Sequence, residues 1–183
     1  MTALSAPPGR ARFTSAEFLH MLARDAFGDM KVELIEGELE RMSPPGNAHG
    51  RLQVAVIVRL ARLVSEALVR ADVGIDLGGD TIVGGDVAVL AAPFDGDGMI
   101  PAEAVALVVE IAVSTRDRDL GLKRRLYAAA GIPAYWVIDA DRALTHVFDR
   151  PEDGDYMGLS LVRFGEALEV PGSDAAITLT VEP

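Results

Sequence analysis

The 183-residue chain is expected to fold as an α/β or α+β domain, a mixed β-sheet flanked by helices, and three observations predict this. The run Val105-Ala106-Leu107-Val108-Val109-Glu110-Ile111-Ala112-Val113 is apolar and rich in β-branched residues except at one acid, the pattern of a strand buried on both faces. Leu52, Val56, Leu60, Leu63, Ala67 and Leu68 recur at helical spacing and give a long helix an apolar stripe. Helix, strands, helix and strand then follow one another around what must be a single sheet.

Each element has a local cause. Thr14-Ser15-Ala16-Glu17 is a capping box that opens a short helix reaching about Phe27. Residues 32–36 and 38–42 read as a hairpin around Gly37. Ser43-Pro44-Pro45-Gly46 breaks the chain, and Asn47 caps the long helix, with Arg51, Arg59, Arg62 and Glu66 mostly off its stripe. Strands are predicted at 73–77, 81–83, 87–91 and 105–113, with a Gly- and Asp-rich surface loop at 93–101. A helix over 117–130 stops at Gly131, ahead of Pro133. Residues 134–139 form the next strand, turn through Asp139-Ala140-Asp141-Arg142 into a hairpin partner at 144–148, and short strands near 158–164 and 177–181 finish the chain.

Residues 1–12, with Pro7, Pro8 and Gly9, read as a flexible N-terminal tail, and 13–183 as one domain with one core. No apolar run approaches the ~18 residues of a membrane-spanning helix. The absence of cysteine excludes disulfides and thiolate metal sites and favours the cytoplasm. A net charge of −11 argues against a surface that coats DNA generally, so contact with nucleic acid requires a local basic patch. Arg116, Arg118, Lys123, Arg124 and Arg125, with Arg51, Arg59 and Arg62 on the long helix, supply two candidate strips; ordinary solvated charges offset by Asp117, Asp119 and Glu66 are the alternative.

Glu110 carries the strongest chemical signal. A carboxylate inside a doubly buried strand loses hydration worth several kcal/mol unless a cation or donors compensate. Asp86 opens another apolar strand, Asp86-Val87-Ala88-Val89-Leu90, and Asp119 and Lys123 share one side of the following helix. Two acids on neighbouring strands with a lysine from the next helix suit a divalent cation, which relieves the repulsion between the carboxylates.

The ordered set Glu33-Leu34-Ile35-Glu36-Gly37-Glu38, Met42-Ser43-Pro44-Pro45, His49, Asp86-Val87-Ala88-Val89, the Glu110 strand with Ser114, Asp119, Lys123, Tyr127 and Gly131-Ile132-Pro133-Ala134-Tyr135-Trp136-Val137-Ile138-Asp139 resembles the bacterial Uma family of restriction-type endonucleases, within the PD-(D/E)XK nuclease superfamily. The resemblance spans residues 13–148 and implies a restriction-endonuclease-like core. It implies metal-dependent hydrolysis of DNA phosphodiesters, with Asp86 and Glu110 holding Mg²⁺ or Mn²⁺, the Ile111 carbonyl as a further oxygen ligand, and Lys123 orienting water or stabilising charge on the phosphate. The lysine usual two residues after the second acid is replaced here by Ala112, its role moving to Lys123 on the helix; Gly85 stands where the family generally has proline.

Glu33, Glu38, His49 and Asp119 are supporting candidates from the same match; each also has an ordinary structural role open to it, as do Ser114, Tyr127 and Trp136. His20 and His146 show no partner spacing and read as structural. DNA is the implied partner, no membrane contact is expected, and a homodimer is allowed. Two further classes stand beside the nuclease: a catalytically inactive binding or regulatory module on the same fold, which the acidic surface favours, and a two-carboxylate glycosidase, which one Trp and three Tyr disfavour.

Overall fold

A computed structural model describes residues 11–180. Residues 1–10 of the expected tail lie outside the described residues. Helix α1 (Ser15–Ala23) starts at the expected capping box: the Thr14 hydroxyl accepts from the Glu17 N–H, and the Thr14 N–H donates back to the Glu17 carboxylate at 2.9 Å. It ends four residues earlier than predicted, in turns that bring Phe27 beside Phe18. Strands β1 (Val32–Ile35) and β2 (Glu38–Arg41) form the predicted hairpin, with Gly37 at φ 81° in its turn. Helix α2 (Asn47–Leu63) follows; its N-cap is Gly46, so Asn47 is the first helical residue rather than the cap.

The strands predicted at 73–77, 81–83 and 87–91 merge into two long ones, β3 (Val69–Gly78) and β4 (Thr81–Leu90), with Gly84-Gly85-Asp86 inside β4. The short β5 (Ile100–Pro101) closes the surface loop, and β6 (Val105–Ala112) carries Glu110. The predicted helix over 117–130 is interrupted: α3 (Arg116–Arg118) passes through a π-helical turn (Asp119–Lys123) into α4 (Arg124–Ala129). Then come β7 (Ala134–Asp139), β8 (Leu144–Glu152), β9 (Asp155–Arg163), β10 (Leu168–Glu169) and β11 (Ala176–Ile177).

The sheet runs β2-β1-β4-β6-β7-β8-β9, with β3 beside β4 and β5; β6–β7 and β3–β5 are parallel and the remaining pairs antiparallel. One face is covered by α4, burying Tyr127, Ile132, Tyr135 and Phe148; α2 and the β10–β11 hairpin cover the other, burying Val56, Leu60, Trp136 and Leu168. This is the mixed sheet flanked by helices that the sequence predicts. Among the described residues no helix is long and apolar enough to cross a membrane.

A fork in this sheet positions the site. Along one edge β4 pairs with β3 for its length; along the other it pairs with β1 at Ile82 and with β6 only from Val87 onward. Between them, residues 83–86 have no strand on that edge. The β3 side is irregular here too: positions 72 and 86 drop out of the ladder, and Asp72 takes φ 48°. Val83 and Val87, four apart in a strand, consequently enter opposite cores.

Candidate active site

Glu110 is 3% exposed, in the middle of β6. Its Oε1 accepts hydrogen bonds from the Lys123 ammonium at 2.8 Å and the Tyr127 hydroxyl at 2.7 Å. Burial pushes its pKa up to about 8; Lys123 opposes the rise, while Asp86 and Asp119 add to it. Burial pulls Lys123 the other way, but Glu110 and Glu33 outweigh it and keep the ammonium charged. Lys123 sits in the π-helical turn, where the Arg124 N–H reaches back five residues to the Asp119 carbonyl and the Tyr135 hydroxyl donates to that carbonyl at 3.0 Å. Such π turns often mark sites where a helix departs from regular packing to aim a side chain.

Gly84 faces Gly74 of β3 on one side but has no strand on the forked edge, where site side chains bond its backbone instead. The Gly84 N–H donates to Glu33 Oε1 at 2.8 Å, and Lys123 Nζ donates to the Gly84 carbonyl at 2.7 Å. Glu33 Oε1 forms an ion pair with the same ammonium at 3.2 Å, beside its hydrogen bonds to Gly84 and Glu110. Glu33 is 3% exposed and lies directly across the hairpin from Glu40, a like-charge pair bridged by Arg118, which binds both carboxylates. Burial raises the Glu33 pKa, but Lys123 and Arg118 together hold it below the usual carboxylate value.

Asp86 lies one step beyond the Val87–Val109 pair, just past the end of the β4–β6 ladder, as Glu110 does on β6. Its Oδ2 accepts the Ile111 N–H at 2.8 Å and lies 2.9 Å from His49 Nε2. Gln53 of α2 donates to the Asp86 carbonyl at 2.9 Å, filling the next gap in the forked edge. Asp119, 2% exposed, accepts the Thr115 hydroxyl; burial raises its pKa, and the Thr115 bond and Lys123 only partly counter this.

Glu33, His49, Asp86, Glu110, Asp119 and Lys123 all line one cleft of about 550 Å³, which continues into an apolar arm bounded by Phe18, Leu22, Met30 and Met99. Glu38 does not line it. It shares a strand face with Glu40 but sits two residues nearer the turn, about 7 Å along the strand, with its carboxylate 3.7 Å from Arg12. A hard divalent cation fits the remaining donors. Among the described residues, Asp86 Oδ1 and Glu110 Oε2 accept no hydrogen bond, and both residues face the cleft. No group of three or more His, Asp or Glu among the described residues forms a ready-made cage; a Mg²⁺ site completed by water and substrate phosphate needs none.

The basic segment is not a free strip. Arg116 binds Asp139 at 2.7 Å, Arg118 binds the hairpin acids, Arg124 binds Asp155 at 2.8 Å, and Arg59 donates to the Thr178 carbonyl; Arg51, Arg62 and Arg125 remain exposed. Most of the acids that neutralise these arginines come from distant strands, and Arg116 also pairs with its neighbour Asp117 at 3.5 Å, one of the offsets the sequence offers. Tyr127, Arg118, Glu40 and Gln53 join the site without having been singled out for it. Tyr127 had a signal, four residues after Lys123 on the same helical side.

The family model Uma2, described as "Putative restriction endonuclease", matches residues 15–182. Among solved structures, the chain is similar to a crystal structure titled as a putative nuclease belonging to DUF820 from Anabaena variabilis ATCC 29413. The two are 21% identical, with a TM-score of 0.59 over 76% of this chain and 81% of that one, a likeness of fold. No curated protein matches.

Proposed function

The chain belongs to the Uma2 family, and from that premise we propose that it is a metal-dependent, restriction-type DNA endonuclease acting in the cytoplasm. The observation that carries this reading is the meeting of Asp86 and Glu110 at the sheet fork, on one cleft, with a buried ammonium behind them. Asp86 and Glu110 are the residues that would hold Mg²⁺ or Mn²⁺, with the Ile111 carbonyl as a further oxygen ligand. When bound, the cation supplies charge neutralisation at the scissile phosphate and hydroxide near neutral pH.

The chain's own residues prepare that site. The Ile111 N–H and His49 fix the Asp86 carboxylate by one oxygen, leaving the other for a ligand. Tyr127 and Lys123 do the same for Glu110. With two hydrogen bonds inside the protein and an ion pair to Glu33, the buried Lys123 acts through its charge and by fixing Glu110, as a positioning residue. Asp119 and Glu33 complete the surrounding charge balance.

Plasmid cleavage by the purified protein with Mg²⁺ or Mn²⁺ tests the reading. Activity is expected in the wild type and lost in Asp86→Asn and in Glu110→Gln. Cleavage that survives both substitutions overturns the site. A wild type that binds DNA without cutting it supports the second reading, a non-catalytic module on this fold, which the engagement of the buried Lys123 by Glu110, Gly84 and Glu33 favours.

A further inference from the structure

We propose that this chain forms a two-fold homodimer by antiparallel pairing of β9 with its copy, centred on Leu159. The two ends of the seven-strand path of the sheet differ sharply. At one end β2 has four residues, three of them charged (Glu38, Glu40 and Arg41), the usual protection of an edge against pairing. At the other end β9 has nine residues, no proline and no lysine, and among the described residues pairs only with β8. Its outer row, Met157, Leu159 and Leu161, is 62%, 57% and 58% exposed, an apolar stripe on an open edge.

The strand sequence identifies the occupant as a second copy. Asp155-Tyr156-Met157-Gly158-Leu159-Ser160-Leu161-Val162-Arg163 is self-complementary about its middle residue. In an antiparallel two-fold pairing centred there, Leu159 meets Leu159 of the copy, Met157 meets Leu161, and the acid at one end meets the base at the other. Asp155, whose side chain is 43% exposed beside Arg124, thereby gains Arg163 of the copy. Moving the centre by one residue sets Asp155 against leucine or Arg163 against methionine, so charge and apolarity select the same register. A strand that matches itself in this way gives an isologous, closed contact instead of an open filament. The inference does not depend on the nuclease reading, since β9 contributes no residue to the cleft.

The cysteine-free chain makes the test direct. Facing residues in an antiparallel pair have Cα atoms roughly 4.5–5.5 Å apart, within disulfide reach. Under mild oxidation Leu159→Cys should cross-link to itself, whereas Met157→Cys and Leu161→Cys should cross-link when mixed and hardly at all alone. By light scattering the wild type should be a dimer and Leu159→Lys a folded monomer, whose melting temperature, unlike that of the wild type, no longer rises with protein concentration. Arg163→Asp should weaken the dimer and Asp155→Arg/Arg163→Asp restore it. A monomeric wild type at every concentration, an unaffected Leu159→Lys dimer, or self-cross-linking of Leu161→Cys as efficient as that of Leu159→Cys would overturn the proposal.

Discussion

Lys123 and Glu110 meet at 2.8 Å inside the protein, each about 97% shielded from solvent, although one belongs to the sheet and the other to the helix above it. The same ammonium also binds the Gly84 carbonyl and Glu33, so one side chain bridges both arms of the forked sheet and the helix. The site's charge balance and the sheet's missing backbone hydrogen bonds are therefore met by the same groups. That coupling makes the candidate site a determinant of stability.

Lys123→Met should consequently destabilise the fold strongly. It leaves Glu33 and Glu110 buried without their shared cation and the Gly84 carbonyl without its donor, a loss of about 3–5 kcal/mol for a broken buried pair. Adding Glu110→Gln should recover part of that loss in alkaline solution, where the orphaned carboxyl would otherwise have to ionise. A denaturant-based double-mutant cycle measures it; purely additive losses would contradict the coupling.

Glu110→Gln alone should alter how stability varies with pH. The folded-state pKa of Glu110, about 8, lies above its ordinary value of 4.5. Its contribution is thus fully present below pH 4.5 and is lost as pH rises through about 8, where ionising the buried carboxyl opposes folding. Melting temperatures of wild type and variant should be closest at low pH and diverge in favour of the variant towards pH 9, while cleavage is lost throughout. A wild type that gains on the variant as pH rises would show Glu110 to be stabilised as a charged partner.

Much of this was legible in the sequence, and what was not has physical reasons. Glu110 was visible because one acid interrupts an apolar run, and the capping box at Thr14 and the α2 stripe follow local rules. Asp86 is legible as an acid but is placed at a strand start, between predicted strands at 81–83 and 87–91, whereas with Gly84 and Gly85 it sits inside β4, where Gly85 packs close to Ile75 and Val108. The π turn at Asp119–Lys123 left no local signature; it follows from the tertiary hydrogen bond of Tyr135 and the pull of Glu110 and Glu33 on Lys123. The Arg118 bridge and Gln53 escaped because their partners lie 85 and 33 positions away.

Asp139 should act as a buried structural acid holding the chain that leaves β6. Its side chain is 1% exposed and accepts Arg116 at 2.7 Å and Arg142 at 3.1 Å. Burial raises its pKa, but these partners outweigh that and hold it below the ordinary carboxylate value. Its stabilisation is therefore present above the usual carboxylate range and lost as pH falls through the folded pKa. Asp139→Ala should cost about 2–3 kcal/mol at neutral pH, less than a fully buried pair, because the arginine side chains are 35% and 54% exposed. The gap to wild type should narrow in acid; a gap that widens there would assign the loss to packing.

Cation binding should report the two carboxylates without reference to turnover. Two acids and no ready-made cage predict weak Mn²⁺ affinity for the protein alone and tighter binding with inorganic phosphate, which supplies the missing oxygens. The cation must bind ionised Glu110, so binding should release protons below about pH 8, and affinity should rise with pH up to that value. Calorimetry in buffers of different ionisation heat detects both effects. Asp86→Ala and Glu110→Ala should each abolish binding, whereas Glu38→Ala, off the cleft, should leave it intact. Unchanged Mn²⁺ affinity in both site variants, or loss of it in Glu38→Ala, would move the cation away from the fork and remove the basis for assigning Asp86 and Glu110 as its ligands.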